Sequence, residues 1–155
     1  MIGLVTYIKT ILGYYYLFLI TDKYSRKIVG WALRDNLGHE GAIAAISNAI
    51  KSEGVSFGII LHSDRGIQYC CPSYTDFVEG KGIKLSMTEQ DHVYENALAE
   101  RVNGILKQEF CLGLTFKNGE ELEKHIAESC ILYNTVRPHW SLNLKTPNEV
   151  HKEAA

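Results

Sequence analysis

Three strand-like segments crowd the first 33 residues, and the links between them are too short to carry the chain across a sheet. Residues 4–8, 14–21 and 27–33 are rich in Tyr, Phe, Leu, Ile and Val, the side chains that suit a pleated, half-buried surface. Gly13 marks the first turn and the polar run Asp22-Lys23-Tyr24-Ser25 the second. Parallel neighbours need a crossover of a dozen or more residues, so these links return the chain antiparallel and predict a three-stranded meander.

After residue 41 the pattern changes to alternation. Ile43, Ile46 and Ile50, with Ala42, Ala45 and Ala49 beside them, recur at helical spacing over 41–52, and Gly54 closes the helix. Residues 58–62 form a short, almost wholly apolar run, the signature of a strand buried on both faces, which ends in the polar string His62-Ser63-Asp64-Arg65-Gly66. A helix is predicted over 72–81, with Pro72 in its first turn, and a last strand over 83–86. The polar stretch 88–95 reads as a mobile loop leading into two longer helices, at 95–110 and 119–135. Helices between strands imply parallel crossovers. The predicted fold class is therefore α/β: a mixed sheet of three antiparallel and two parallel strands, with helices on both faces.

The chain has 155 residues, 46% of them apolar and 22% charged, which predicts one ordinary domain spanning 1–155 and burying roughly two-thirds of its unfolded surface. The longest apolar run, 14–20, is far short of the roughly 20 residues that cross a bilayer, and no secretory leader pattern precedes it. The expectation is a cytoplasmic protein with no membrane partner. Cys70, Cys71, Cys111 and Cys130 contain no C-x-x-C pair, so reduced, buried thiols are expected rather than disulfides or a zinc site. A net charge of −2 argues against binding nucleic acid by bulk electrostatics alone. The charge is uneven, however: residues 61–110 carry five Lys/Arg against eight Asp/Glu, and an acidic stretch is where a cation site is expected, although a solvated acidic surface gives the same count.

Two acidic residues stand out by position. Asp64 follows a predicted central strand, where open α/β sheets place their ligands. Glu100 sits on a predicted helix whose apolar stripe is Leu98, Val102, Ile105 and Leu106, while Glu100, Asn103 and Lys107 share another face. Each alone is explained by a turn or a solvated helix face. Together, two carboxylates from separate elements at one sheet edge can hold a divalent ion such as Mg²⁺, and phosphodiester chemistry uses such ions in pairs, normally with a third bridging carboxylate. Lys107, on the same face as Glu100, is suitably placed for a backbone phosphate.

Asp64 and Glu100 are separated by 35 intervening residues. With that spacing, the chain resembles the catalytic core of the insertion-sequence transposases related to retroviral integrase, whose triad is Asp, Asp and Glu. Four segments carry the resemblance in order: Asp22 to Trp31, His62 to Tyr69, Glu95 to Glu100, and Tyr133 to His139 followed by Leu142, Thr146 and Pro147. The resemblance implies a ribonuclease-H-like fold and metal-dependent cleavage and strand transfer of DNA, with transposon ends and target DNA as partners. It further implies a homo-oligomer associated with the nucleoid, and Mg²⁺ or Mn²⁺ as cofactor. It assigns Asp64 and Glu100 as catalytic metal ligands and Arg65, Asn103 and Lys107 as DNA contacts, and it lets Gln68 shape the site. Arg137 and His139 are explained as well by packing.

One departure qualifies these implications. The family's first aspartate lies two residues before a Thr-Tyr pair, and here Leu4 occupies that place before Thr6 and Tyr7. Leucine offers no oxygen, so weak metal binding and impaired catalysis are expected; Asp22 is the nearest acidic alternative. The acidic Glu89-Gln90-Asp91 stands where many relatives are basic or glycine-containing. The amino-terminal DNA-binding region of longer relatives is expected to be absent. The competing expectations are an inactive ribonuclease-H-like DNA-binding or dimerisation module, and a nuclease cutting RNA–DNA hybrids.

Overall fold

The computed structural model describes residues 1–54, 58–63, 66–86 and 92–154, with residues 92–96 described as helical backbone only. Its five-stranded sheet has the order β3-β2-β1-β4-β5. Strands β1 (Ile2–Thr10), β2 (Gly13–Thr21) and β3 (Ile28–Arg34) form the predicted meander. Strands β4 (Ile60–Ser63) and β5 (Lys84–Ser86) add to it in parallel.

The turns explain the meander. Thr10 Oγ1 donates to the Gly13 carbonyl at 2.9 Å and accepts from the Leu12 amide, and Gly13 has φ of 137°, a conformation that glycine takes at little cost. In the second turn the Asp22 carboxylate accepts from the backbone and hydroxyl of Ser25 at 2.8 and 2.7 Å, an arrangement that favours Asp in tight turns.

Strand β2 is buried on both faces, which is why its centre reads as an unbroken apolar run. Leu17 and Leu19 point to one face and Phe18 and Ile20 to the other. The first face is covered by α4 (His92–Gln108) and α5 (Gly119–Thr135), through Val102, Ile105, Leu106, Ile126 and Tyr133. The second is covered by α1 (His39–Glu53) and α3 (Pro72–Gly80), through Ala45, Ile46, Ala49, Tyr74 and Val78. Two cores therefore share one sheet. On β3, a Cβ at Gly30 would lie 2.5 Å from the Ala45 carbonyl oxygen, so the small residues Gly30, Ala45 and Ala49 let α1 lie almost directly on the strand.

Several expectations are corrected. The short helix α2 (Ile67–Cys70) and the carboxyl-terminal α6 (Pro147–Glu153) were not foreseen. Each is too short to show a helical period. Of the predicted loop 88–95, residues 88–91 lie outside the described residues, while 92–95 belong to the first turn of α4. Strand β4 is not buried on both faces: Leu61 is, but Ile60 is half-exposed at the start of the strand, where its carbonyl accepts from the Met1 amino group at 2.8 Å. All four cysteines are free thiols, but only Cys130 is buried, and Cys70 and Cys111 are exposed. No described helix is long and apolar enough to cross a membrane.

Candidate active site

The parallel junction of β1 and β4 sets the position of the first site residues. Gly3 pairs with Ser63; Leu4 follows Gly3 on β1, and Asp64 follows Ser63 in the sequence. Asp64 and Arg65 lie outside the described residues, and so do Glu89, Gln90 and Asp91. Leu4 is half-buried in the middle of the sheet, paired with Leu19 of β2 on its other side. Ser63, buried at the end of β4, has a hydroxyl with no hydrogen-bond partner among the described residues.

Helix α4 supplies the other residues. Ala99, Val102, Ile105 and Leu106 are buried, and Glu100, Asn103 and Lys107 fall at i, i+3 and i+7 on a different face. Glu100 is exposed and Asn103 half-buried. The Asn103 Oδ1 atom is buried with no partner among the described residues. The Lys107 ammonium sits 5.0 Å from the centre of the Tyr7 ring, a cation–π distance, and burial lowers its pKa from the ordinary lysine value.

Two contacts fix the direction of α4 over the sheet. Its carboxyl end reaches Tyr7 through Lys107, while Ala97, Leu98 and Arg101 share a cavity with Arg26. Arg26 lies in the β2–β3 turn, just beyond Thr21, the partner of Ile2. The helix therefore runs in the same direction as β1. Glu100 lies about 10.5 Å back from Lys107 at 1.5 Å per helical residue, and Leu4 about 10 Å back from Tyr7 at roughly 3.3 Å per strand residue. By this count the two residues lie at similar distances back from the Lys107–Tyr7 contact.

Asp22 is at the other end of this arrangement. It lies three residues beyond Leu19, roughly 10 Å along β2 from the Leu4 position. Its carboxylate is engaged by Ser25, with His151 Nδ1 at 3.8 Å. It serves as a turn residue. Gln68 is buried in α2.

Arg137 and His139 do more than end a helix. Arg137 forms a two-pronged pair with Glu109, at 2.5 and 2.7 Å, and these bonds hold the Glu109 carboxyl below its usual range. His139 is buried against Tyr133, ring centres 5.0 Å apart. Burial above all, then the charge of Arg137, pushes its pKa down to about 4. Both residues line a cavity of about 380 Å³ that also takes in Arg26, Arg101 and Trp140. Sequence reasoning missed this cavity, although Trp140, a large ring in a polar stretch, was a visible signal.

Comparison with known proteins agrees with the fold. A family model described as integrase core domain matches residues 4–92, and a second of the same description matches residues 81–147. The chain belongs to the integrase core domain family, and its fold is ribonuclease-H-like. It is 36% identical over 143 residues to an uncharacterised 31 kDa protein of insertion element IS600 from Shigella sonnei, covering 92% of this chain and 53% of that protein. It is 32% identical over 152 residues to the transposase for insertion sequence element IS904 of Lactococcus lactis, covering 97% and 60%. The chain thus spans about half to three-fifths of these relatives. Among solved structures, the HTLV-2 integrase catalytic core domain in complex with magnesium superposes with a TM-score of 0.75 at 21% identity, covering 97% of this chain and 93% of that one.

Proposed function

We propose that this chain is a single transposase catalytic core that cleaves and joins DNA ends, and that its activity is impaired because Leu4 stands where the first catalytic aspartate belongs. What supports this reading is that α4, which carries Glu100, packs on β1, which carries Leu4, beside the end of β4, after which Asp64 follows in sequence. Support also comes from the relatives, one of them a transposase, and from the magnesium complex of a protein of the same fold.

The donor set fits a loosely held ion. Glu100 is exposed, which leaves its carboxylate open to a cation. Asp64 and Glu100 would hold Mg²⁺ or Mn²⁺, which when bound supplies charge stabilisation at a DNA phosphate. The aliphatic side chain of Leu4 leaves that ion without a third protein oxygen. The protein's own contribution is to position the strand. Lys107 meets a backbone phosphate, Asn103 offers its amide beside Glu100, and Arg65 adds charge after Asp64. In this reading the chain acts on DNA in the cytoplasm as a homo-oligomer.

The test is cleavage and joining of end-containing DNA with Mn²⁺, comparing this chain with Leu4→Asp. Restoring the carboxylate is expected to raise both activities at least tenfold, a difference of about 1.4 kcal/mol in barrier; no increase in either overturns the proposal. Leu4 itself favours a second reading, an inactive DNA-binding or dimerisation module. Calorimetry with Mn²⁺ separates the two, since the inert module gives no saturable heat that Asp64→Asn abolishes.

A further inference from the structure

The cavity between α4 and the segment 137–141 is not accounted for by strand cleavage. Arg101, which lines it, is one residue and about 100° around the helix from Glu100. Its floor is aliphatic, from Leu98, Val102 and Ile105. Its rim carries the guanidinium groups of Arg26, Arg101 and Arg137. Trp140 also lines it while remaining 87% exposed.

We propose that this cavity receives one unpaired nucleotide of a DNA end, with its base against Trp140 and His139 and its phosphate on Arg101. The proposal rests on the reading of the chain as a DNA-handling core. Each part of a nucleotide has a matching group. An exposed indole costs free energy in water and is a stacking platform for any base. Arg101 has no ion-pair partner among the described residues, whereas Arg137 is committed to Glu109, so Arg101 is the guanidinium open to a phosphate. His139 is 93% buried by its 7% exposure, and its Nε2 has no hydrogen-bond partner among the described residues. A buried polar atom normally has one. Burial keeps this imidazole neutral at physiological pH, so this part of the lining favours an uncharged base over a second phosphate. A cavity of about 380 Å³ falls at the small end of the range for ligand sites, which favours one nucleotide over a longer segment.

The chain has two tryptophans, so Trp31→Phe makes Trp140 the only indole reporter. With metal chelated, the variant is titrated with a short labelled duplex bearing a single-nucleotide 3′ overhang, with the same duplex blunt, and with an abasic overhang. Total binding is followed by anisotropy. The overhang duplex is expected to quench Trp140 saturably and to bind about tenfold more tightly than the other two. Arg101→Gln in the same background is expected to abolish that preference, and Trp140→Ala, a change at an exposed position, to do the same by anisotropy. If all three duplexes bind equally and leave Trp140 unquenched, the nucleotide pocket is overturned while the DNA-handling reading stands. If none binds, both are overturned.

Discussion

Tyr74 and Tyr133 are both fully buried, and burial raises the pKa of each phenol above its ordinary value, yet the two hydroxyls differ in what they gain. Tyr133 donates to the Arg26 carbonyl at 3.1 Å, tying α5 to the β2–β3 turn. The Tyr74 hydroxyl has no partner among the described residues. Tyr133→Phe is expected to lower unfolding free energy by about 1 kcal/mol, because it strands a carbonyl, while Tyr74→Phe is expected to be neutral or slightly stabilising. Urea denaturation of the two variants checks both signs. At this scale the sequence singled out Asp64 and Glu100 by their separation, and Leu4 by its place before Thr6 and Tyr7, because spacing is read along the chain itself. It was silent about the cavity, because Arg26, Arg101 and Trp140 come from three distant segments and meet only after the sheet and two helices have packed.

Among the elements, α6 has no helical period to read, being seven residues long, but it carries its start signal. Thr146 accepts from the Glu149 amide, and the Glu149 carboxylate accepts from the Thr146 amide at 2.7 Å, a capping box with Pro147 in the first turn. The helix delivers His151 to Glu53 at the end of α1 and to Ser25 in the β2–β3 turn, joining three elements at one corner. Burial works against the Glu53 carboxylate, but hydrogen bonds from Lys27, His151 and Ser52 outweigh it and hold its pKa below 4.5. The unfolded chain therefore takes up this proton more readily than the folded one. The stability Glu53 contributes is complete at neutral pH and disappears as pH falls through the lowered folded value. Glu53→Gln is expected to have a lower urea midpoint than the parent at neutral pH, and the gap should close well below pH 4.5. A gap that persists there would show that packing, not ionisation, holds the corner. Helices α1 and α4, by contrast, were legible from periodicity because each is long and packs one apolar face on the sheet.

For the molecule as a whole, the sheet is common to both cores, and β2 contributes to each. Ile46→Ala in the α1 layer and Ile126→Ala in the α5 layer are each expected to cost about 2–5 kcal/mol. Both should shift a single transition seen alike by circular dichroism and tryptophan fluorescence; two separate transitions would mean that the layers unfold independently. The antiparallel meander and the layered α/β plan were readable because short links and alternating elements leave few ways to connect a sheet. The extent of the β1–β4 pairing was not, since register depends on contacts between strands more than fifty positions apart. The way α4 is held has its own consequence. Among its described side chains, Val102, Ile105 and Leu106 press into the core beyond Glu100 and fasten the helix to the sheet like nails through a plank. Hollowing the core under Ile105 or Leu106 would tilt the plank, and the acidic group and the arginine next to it would swing together.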